Sequence, residues 1–218
     1  MRKEEYYSPE TIAAEATKMA GRLPVNPRAA AFRPAMAALL VIDMQDYFLC
    51  RESHAFLPAA PAIIPNVNAL IAAFHAKQRP VLFTRHGSNE HDAGQMAAWW
   101  RELLTPDHPL GGIHPRMLFR GEPVIEKAQY DAFYRTDLEE RLRREGVSHL
   151  VITGVATHLC CESTARSAFM RGLAVFLVID GTATWNRELH TASLNGLAHG
   201  CAVPLLAADL LASLAGPS

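Results

Sequence analysis

The chain of 218 residues carries 21 basic and 22 acidic side chains, a formal net charge of -1, and 50% of its residues are hydrophobic. This length and composition fit one folded domain with a sizeable core and exclude extended disorder away from the termini. The near-neutral, unclustered charge argues against a nucleic-acid or anionic-membrane partner, because both need a basic surface. No apolar run approaches the ~20 residues that span a bilayer, and the chain start lacks the apolar stretch of a signal peptide.

Cysteine usage points to a reducing compartment. The four cysteines are Cys50, Cys160, Cys161 and Cys201, and none has the C-x-x-C spacing of zinc or thioredoxin-like sites. The simplest interpretation is a reduced cytoplasmic protein with free thiols.

The first 34 residues predict an arm that lies on the domain or on a neighbouring subunit. Residues 8–20 have the pattern of a short amphipathic helix, which Ser8 can cap and in which Pro9 suits the first turn. Residues 23–34 carry three prolines and predict a loop. We expect one domain over residues 35–218.

From residue 38 onward, short apolar runs alternate with helical patterns. The predicted strands cover residues 38–43, 80–84, 124–127, 149–153, 174–180 and 202–206. The predicted helices cover residues 61–77, 94–104, 133–145, 160–171 and 188–199. Continuous apolar strands that alternate with helices predict an α/β fold: three α-β-α layers around a six-stranded, mostly parallel sheet.

Three chemically useful side chains stand at or after the ends of predicted strands, where ligands bind in such folds. Asp43 ends the first strand, Lys127 ends the third, and Cys160 lies in GVATHLCCESTARSAF, which reads as a strand, a tight turn and a helix. A helix N-terminus and a nearby ammonium both stabilise a thiolate, so we expect a lowered thiol pKa. Asp43 could then take the thiol proton and return it to a leaving group.

A structural interpretation of the same residues stays open on spacing alone. An aspartate after a strand is usually a turn residue, a lysine is usually solvated, and a cysteine in an apolar helix usually packs as a small core side chain. Periodicity cannot prove that the three side chains converge.

Three segments carry a family resemblance. ALLVIDMQDYF, VIEKAQYDAFYRTDLEERLR and HLVITGVATHLCCESTARSAFMRGLAVFLVIDGTATWN resemble the signature segments of the isochorismatase-like cysteine hydrolases, over roughly residues 36–206. That superfamily includes nicotinamidases, N-carbamoylsarcosine amidases, ureidoacrylate hydrolases and isochorismatases. The resemblance implies a Rossmann-like six-stranded parallel sheet, commonly in a homodimer or homotetramer, and a small-molecule substrate.

The resemblance also implies a site. The family's catalytic aspartate, lysine and cysteine fall on Asp43, Lys127 and Cys160, and a cis peptide would precede Ala156. The backbone N–H groups of Ala156 and Cys160 would then form an oxyanion hole. Proximity in sequence and to strand ends adds six candidate substrate-binding residues: Gln45, Phe48, Arg85, Trp99, Tyr130 and Thr157.

The sequence departs from two branches of the family. Nicotinamidases carry a metal-binding aspartate and two histidines after the second strand; His86 and His91 are present here, but Arg85 and Gly87 disturb the pattern. We therefore expect neither a metal nor another cofactor. In isochorismatases an arginine precedes a Gly-x-x-x-x-[FW]-W run, and Ala93 stands at that position here. This argues against isochorismate as the substrate unless Arg85 or Arg116 takes the place of that arginine.

Three functions remain in competition. The leading hypothesis is a cysteine-dependent hydrolase that cleaves a C–N bond of a small amide, ureido or carbamoyl compound through a thioester. The second is a vinyl-ether hydrolase of the isochorismatase type, in which Asp43 is the acid and Cys160 a bystander. The third is a non-catalytic binding or redox-sensing module on the same fold.

Overall fold

The six predicted strands form a single parallel sheet. The computed structural model describes residues 2–216. The strands are β1 (Ala37–Ile42), β2 (Val81–His86), β3 (Val124–Lys127), β4 (His149–Val155), β5 (Ala174–Ala183) and β6 (Ala202–Leu205). Their order across the sheet is β3-β2-β1-β4-β5-β6, and every neighbouring pair is parallel. The predicted α/β fold is confirmed.

Helices flank this sheet. They are α1 (Ile12–Ala20), α2 (Asp46–Leu49), α3 (Ala60–Ala76), α4 (Met96–Trp99), α5 (Leu138–Arg144), α6 (Glu162–Met170), α7 (Arg187–Gly200) and α8 (Ala207–Ala215). Helix α3 packs on β1, β4, β5 and α8, whereas α6 and α7 pack on each other and near β5 and β6. Within residues 2–216, no helix has the length and apolarity that a membrane crossing needs.

The central strands explain why sequence alone indicates a parallel sheet. Every residue of β1 and of β4 is buried, so both read as continuous apolar runs without the alternation of a half-exposed strand. Strand order reverses beside β1, where β2 lies on one side and β4 on the other. In open α/β sheets this reversal opens a crevice at the carboxyl ends of the strands, and ligands bind there.

The amino-terminal segment packs on its own domain. Tyr6, Tyr7 and Met19 are buried in the same hydrophobic core as the sheet strands. The first helix begins at Ile12, later than expected, because the carbonyl of Ser8 accepts the N–H groups of Thr11 and Ile12 in a preceding turn. The division into an arm over 1–34 and a domain over 35–218 remains an interpretation of the sequence, and Met1 and residues 217–218 lie outside the described residues.

Two predicted helices are shorter than their sequence patterns indicate. The prediction over residues 94–104 is wrong beyond Trp99, because Trp100 adopts an extended backbone and its indole N–H donates to the Tyr130 hydroxyl at 2.7 Å. The prediction over 133–145 is wrong before residue 138. Arg135 has a φ of 56°, which lies outside the right-handed helical region.

The close approach of β1 and β4 requires a glycine. Gly154 pairs with Ile42 and has a φ of 108°, and a Cβ at this position would lie 2.0 Å from the Ile42 carbonyl oxygen. Because the obstacle is backbone, no side chain can rotate away. We expect Gly154→Ala to lower the free energy of unfolding by about 3 kcal/mol or more.

Urea denaturation followed by circular dichroism measures this effect. The matched control is Gly112→Ala, because a Cβ at Gly112 meets nothing within 4 Å. We expect the control to change stability by less than about 1 kcal/mol. Equal losses in the two variants would contradict the steric argument.

Candidate active site

The three side chains singled out by the sequence meet at the carboxyl ends of the strands. Asp43 follows β1, Lys127 ends β3, and Cys160 lies in the turn after β4. The Lys127 Nζ lies 2.7 Å from the Asp43 Oδ2 and 3.4 Å from the Cys160 Sγ. All three residues are buried. Their catalytic roles stay predictions, but the spatial condition for those roles is met.

Asp43 is held in place by its backbone and by Thr84. Its φ of 49° is unusual for a residue other than glycine, and such conformations persist where the surrounding structure enforces them. Thr84 on β2 donates its hydroxyl to the Asp43 Oδ1 at 2.5 Å and accepts the Asp43 backbone N–H at 3.1 Å. One carboxylate oxygen therefore faces Thr84 while the other faces Lys127.

Cys160 lies in a wide π turn over Thr157–Cys161, and α6 begins only at Glu162. The prediction that Cys160 begins an α-helix is therefore wrong by about two residues. The peptide bond between Val155 and Ala156 is cis, as the resemblance implies. The Ala156 carbonyl accepts the N–H groups of Leu159 and Cys161, which fixes the turn. The oxyanion hole at Ala156 and Cys160 stays a prediction.

The expected low pKa of the nucleophile is wrong for the empty site. Burial raises the pKa of the Cys160 thiol to about 12; the Lys127 ammonium lowers this pKa and the Asp43 carboxylate raises it. Desolvation outweighs the attraction of the ammonium because the sulfur lies away from water. Burial also lowers the pKa of Lys127, but Asp43 and Cys160 outweigh it, so the net shift is upward and Lys127 stays charged. The resting site is a carboxylate–ammonium pair beside a neutral thiol.

Thr157 anchors the nucleophile turn instead of contacting the cavity. Its hydroxyl lies 2.9 Å from the Nδ1 of His190 on α7, and the His190 Nε2 lies 3.2 Å from the Tyr7 hydroxyl. Burial lowers the pKa of His190 to about 3, so the ring is neutral and offers one donor and one acceptor. Ser193 also donates to the Thr157 carbonyl at 3.3 Å. Thr157 does not line the cavity, and its role as a substrate-binding residue stays a prediction.

A largely apolar cavity opens onto Cys160, with about 660 Å³ of empty space that includes its mouth. Its lining is mostly aromatic and aliphatic: Tyr47, Phe48, His54, Ala55, His86, Met96, Trp100, Glu102, Leu103, Leu104, Tyr130, Ala156, Leu159, Cys160 and Trp185. Trp100 and Trp185 stack with ring centroids 6.0 Å apart. Such walls suit a small, flat organic molecule.

The candidate substrate-binding residues divide into two groups. Phe48 and Tyr130 line the cavity as expected. Trp99 does not, because its side chain is 78% exposed, and the neighbouring Trp100 takes the inward position instead. The sequence pattern alone does not predict which of the two adjacent tryptophans faces the cavity.

Gln45 and Arg85 also lie outside the cavity lining. The Gln45 amide accepts the His86 backbone N–H and donates to the carbonyls of His86 and Gly111. The side chain therefore connects the end of β2 with the loop at Gly111. Arg85 forms a salt bridge with Glu126 on the neighbouring strand. Both side chains have structural partners away from the cavity lining, and substrate contact by either residue stays a prediction.

Trp185 and His86 are among the cavity-lining residues that the sequence did not single out as substrate contacts. Trp185 lies two residues after β5, so its position after a strand could have signalled it. His86 ends β2 and was weighed as a metal ligand against a surface or pocket-lining role. Burial, and then the Lys127 charge, lower the pKa of His86 to about 4, so this ring is neutral at pH 7. Among the residues described, its Nδ1 atom has no hydrogen-bond partner.

One group of three metal-binding side chains occurs among residues 2–216: Asp46, Cys50 and His114, whose ligand atoms lie within 4.8 Å of one another. The Asp46 Oδ1 already contacts the His114 Nδ1 at 2.5 Å. This pairing accounts for two of the three groups without an ion. His86 and His91 are not part of the group.

Comparisons with known proteins show the family of the chain. The chain matches the isochorismatase domain family over residues 37–209. It is 38% identical over 186 residues to nicotinamidase 3 of Arabidopsis thaliana. The aligned region covers 83% of this chain and 90% of that protein. It is 34% identical over 179 residues to enterobactin synthase component B of Escherichia coli K12, which covers 81% of this chain and 62% of that protein.

A solved structure has the same fold as this chain. A crystal structure of a cysteine hydrolase from Pseudomonas syringae pv. phaseolicola 1448A superposes with a TM-score of 0.82 at 22% identity, over 87% of this chain and 97% of that one. The family match covers all six strands of the sheet and includes Asp43, Lys127 and Cys160. The chain therefore belongs to the isochorismatase domain family and is a hydrolase of that family.

Proposed function

We propose that the protein is a cysteine-dependent amidohydrolase that cleaves a C–N bond of a small amide, ureido or carbamoyl compound. The observation that carries the proposal is the Cys160 sulfur, which lines an apolar cavity and lies 3.4 Å from a lysine paired with an aspartate. A nucleophile, a proton acceptor and a cation in one buried crevice are the groups that thioester chemistry needs.

The proposed reaction begins with a neutral thiol. As the Cys160 sulfur attacks the carbonyl carbon, its proton passes to Asp43, so no free thiolate has to persist in the buried site. Lys127 stabilises the negative charge that moves between sulfur and carboxylate, and backbone N–H groups of Ala156 and Cys160 receive the oxyanion. The amine leaves with the proton from Asp43. Water then hydrolyses the thioester and restores the thiol.

The cavity favours a flat, uncharged acyl group. Its walls are mostly aromatic and aliphatic, with Trp100 and Trp185 stacked on each other, and nicotinamidase 3 is among the relatives. Aromatic carboxamides such as nicotinamide are therefore the first substrates to test. Ureido and carbamoyl compounds remain in the same proposal because the attacked carbonyl is alike.

Vinyl-ether hydrolysis is the second candidate. The family takes its name from isochorismatase, and Asp43 lies between Thr84 and Lys127 in a position to transfer a proton. In that reaction the acid does the main work and the sulfur of Cys160 is dispensable.

Trapping the acyl-enzyme tests the proposal directly. The enzyme is mixed with nicotinamide, benzamide or isochorismate, quenched in acid within the first turnovers, digested and analysed by mass spectrometry. We expect an acyl adduct on the Cys160 peptide with the amide that is turned over, because the thioester lies on the reaction path. Turnover of isochorismate alone, without an adduct, would support the vinyl-ether candidate instead.

A further inference from the structure

The amino-terminal segment contacts three consecutive residues, 184–186, of the connection between β5 and α7. The Glu4 N–H donates to the Trp185 carbonyl at 2.9 Å, and the Thr184 N–H donates to the Tyr6 hydroxyl at 2.9 Å. The Asn186 side chain donates to the Arg2 carbonyl at 3.3 Å. The connection that carries Trp185 to the cavity is thus held from outside the segment that matches the family.

Lys3 bridges two walls of the cavity. Its Nζ donates to the carbonyls of His54 and Phe56 at 2.5 and 2.7 Å, and it lies 5.0 Å from the centre of a Trp185 ring. His54 and Trp185 both line the cavity, although they stand far apart in sequence. The Lys3 ammonium therefore joins the loop around His54 to the connection that carries Trp185.

We propose that Lys3 is a specificity-determining positioning residue, which fixes Trp185 against the loop around His54 and so sets the width of the aromatic wall. This inference rests on the proposed function, because it concerns the substrates of the same cavity. Lys3 does not reach the reacting atoms. It acts through Trp185, so it governs how well a flat acyl group is held and leaves the chemical step unchanged.

The physical basis is the loss of several directional contacts at once. Lys3→Met keeps a long apolar side chain but removes the N–H donors to two carbonyls and the cation over the indole. Trp185 then loses one of its restraints, and its ring no longer presents a fixed surface for stacking. A small aliphatic amide makes little use of that surface and serves as an internal reference.

The experiment compares the wild type with Lys3→Met and with the control Lys18→Met. Lys18 is exposed on α1 and does not line the cavity. For Lys3→Met we expect the KM of nicotinamide to rise about tenfold while kcat stays within about twofold, since ground-state and transition-state binding are lost together. The kcat/KM of acetamide should not change, Lys18→Met should match the wild type, and Lys3→Arg should recover part of the loss.

A second measurement does not depend on the substrate. Cys160 is alkylated with iodoacetamide or with N-benzyliodoacetamide, and the Cys160 peptide is quantified by mass spectrometry. We expect the wild type to prefer the benzyl reagent and Lys3→Met to lose that preference about fivefold, because the benzyl ring needs the ordered wall. An unchanged preference of Lys3→Met for the benzyl reagent would overturn the proposal. Equal changes in the KM of nicotinamide for Lys3→Met and Lys18→Met would also overturn it. Retained activity in Cys160→Ala would instead refute the proposed function, while the alkylation ratio would still test Lys3.

Discussion

Cys160→Ala is expected to abolish amide hydrolysis, with a fall in kcat/KM of about 10⁴ or more. The reason is that the sulfur forms the covalent bond to the acyl group. Lys127 contacts Cys160, the Asp43 carboxylate and the Gln129 carbonyl, and of these partners only Cys160 carries a thiol. The substitution removes one buried atom beside the cavity, so the fold should persist. The measurement is initial-rate kinetics with the best amide of the panel, together with a thermal melting curve.

The neighbouring thiol supplies the control. Cys161 is fully buried and follows Cys160 directly, but it does not line the cavity. We expect Cys161→Ala to lose some stability through lost packing while keeping kcat within about threefold. Full amide hydrolysis by Cys160→Ala would be incompatible with the thioester route. Isochorismate cleavage that survives in Cys160→Ala would indicate the acid-driven candidate.

Asp43→Asn is expected to lower amide turnover by about 10³ or more while making Cys160 easier to alkylate. The two effects have one cause. The Asp43 carboxylate accepts and returns the proton in the proposed reaction, but its negative charge also raises the pKa of the Cys160 thiol. Without that charge, the Lys127 ammonium acts unopposed and lowers the thiol pKa. The rate at which Cys160 is alkylated at pH 8 should therefore rise about tenfold or more.

Alkylation with iodoacetamide at pH 8, quantified on the Cys160 peptide by mass spectrometry, and a steady-state assay measure the two effects on the same protein. Asp46→Asn is the control, because Asp46 contacts His114 and not the Lys127 pair. It should leave both rates unchanged. Slower alkylation of Cys160 in Asp43→Asn would show that the carboxylate lowers the thiol pKa, and our account of the charges would be wrong.

Much of the fold follows from local patterns in the sequence. β1 and β4 are buried on both faces, so their apolar runs and the helices between them sufficed to predict a parallel sheet. Helix ends were harder, because Arg135 and Trp100 interrupt helical patterns through backbone conformations that the sequence pattern does not indicate. The helix at Ala207–Ala215 was missed altogether.

The candidate site divides in the same way. Strand ends in a parallel sheet lie at one edge, which made Asp43, Lys127 and Cys160 candidates, and the family resemblance then singled them out as a set. Trp185 and Lys3 were not found, because their places depend on how long loops and the amino-terminal segment fold over that edge. The sign of the thiol pKa shift was also missed, since burial cannot be weighed against charge before the cavity is known.

The arrangement of the indoles has an optical consequence. The chain has three tryptophans; Trp100 and Trp185 stack in the wall above the sulfur, whereas Trp99 faces solvent. Two of the three chromophores therefore sit where a ligand would quench or shield them, and the third supplies a steady background. We therefore expect the intrinsic tryptophan fluorescence of the protein to change when a ligand binds in the cavity, so binding can be followed without an added dye.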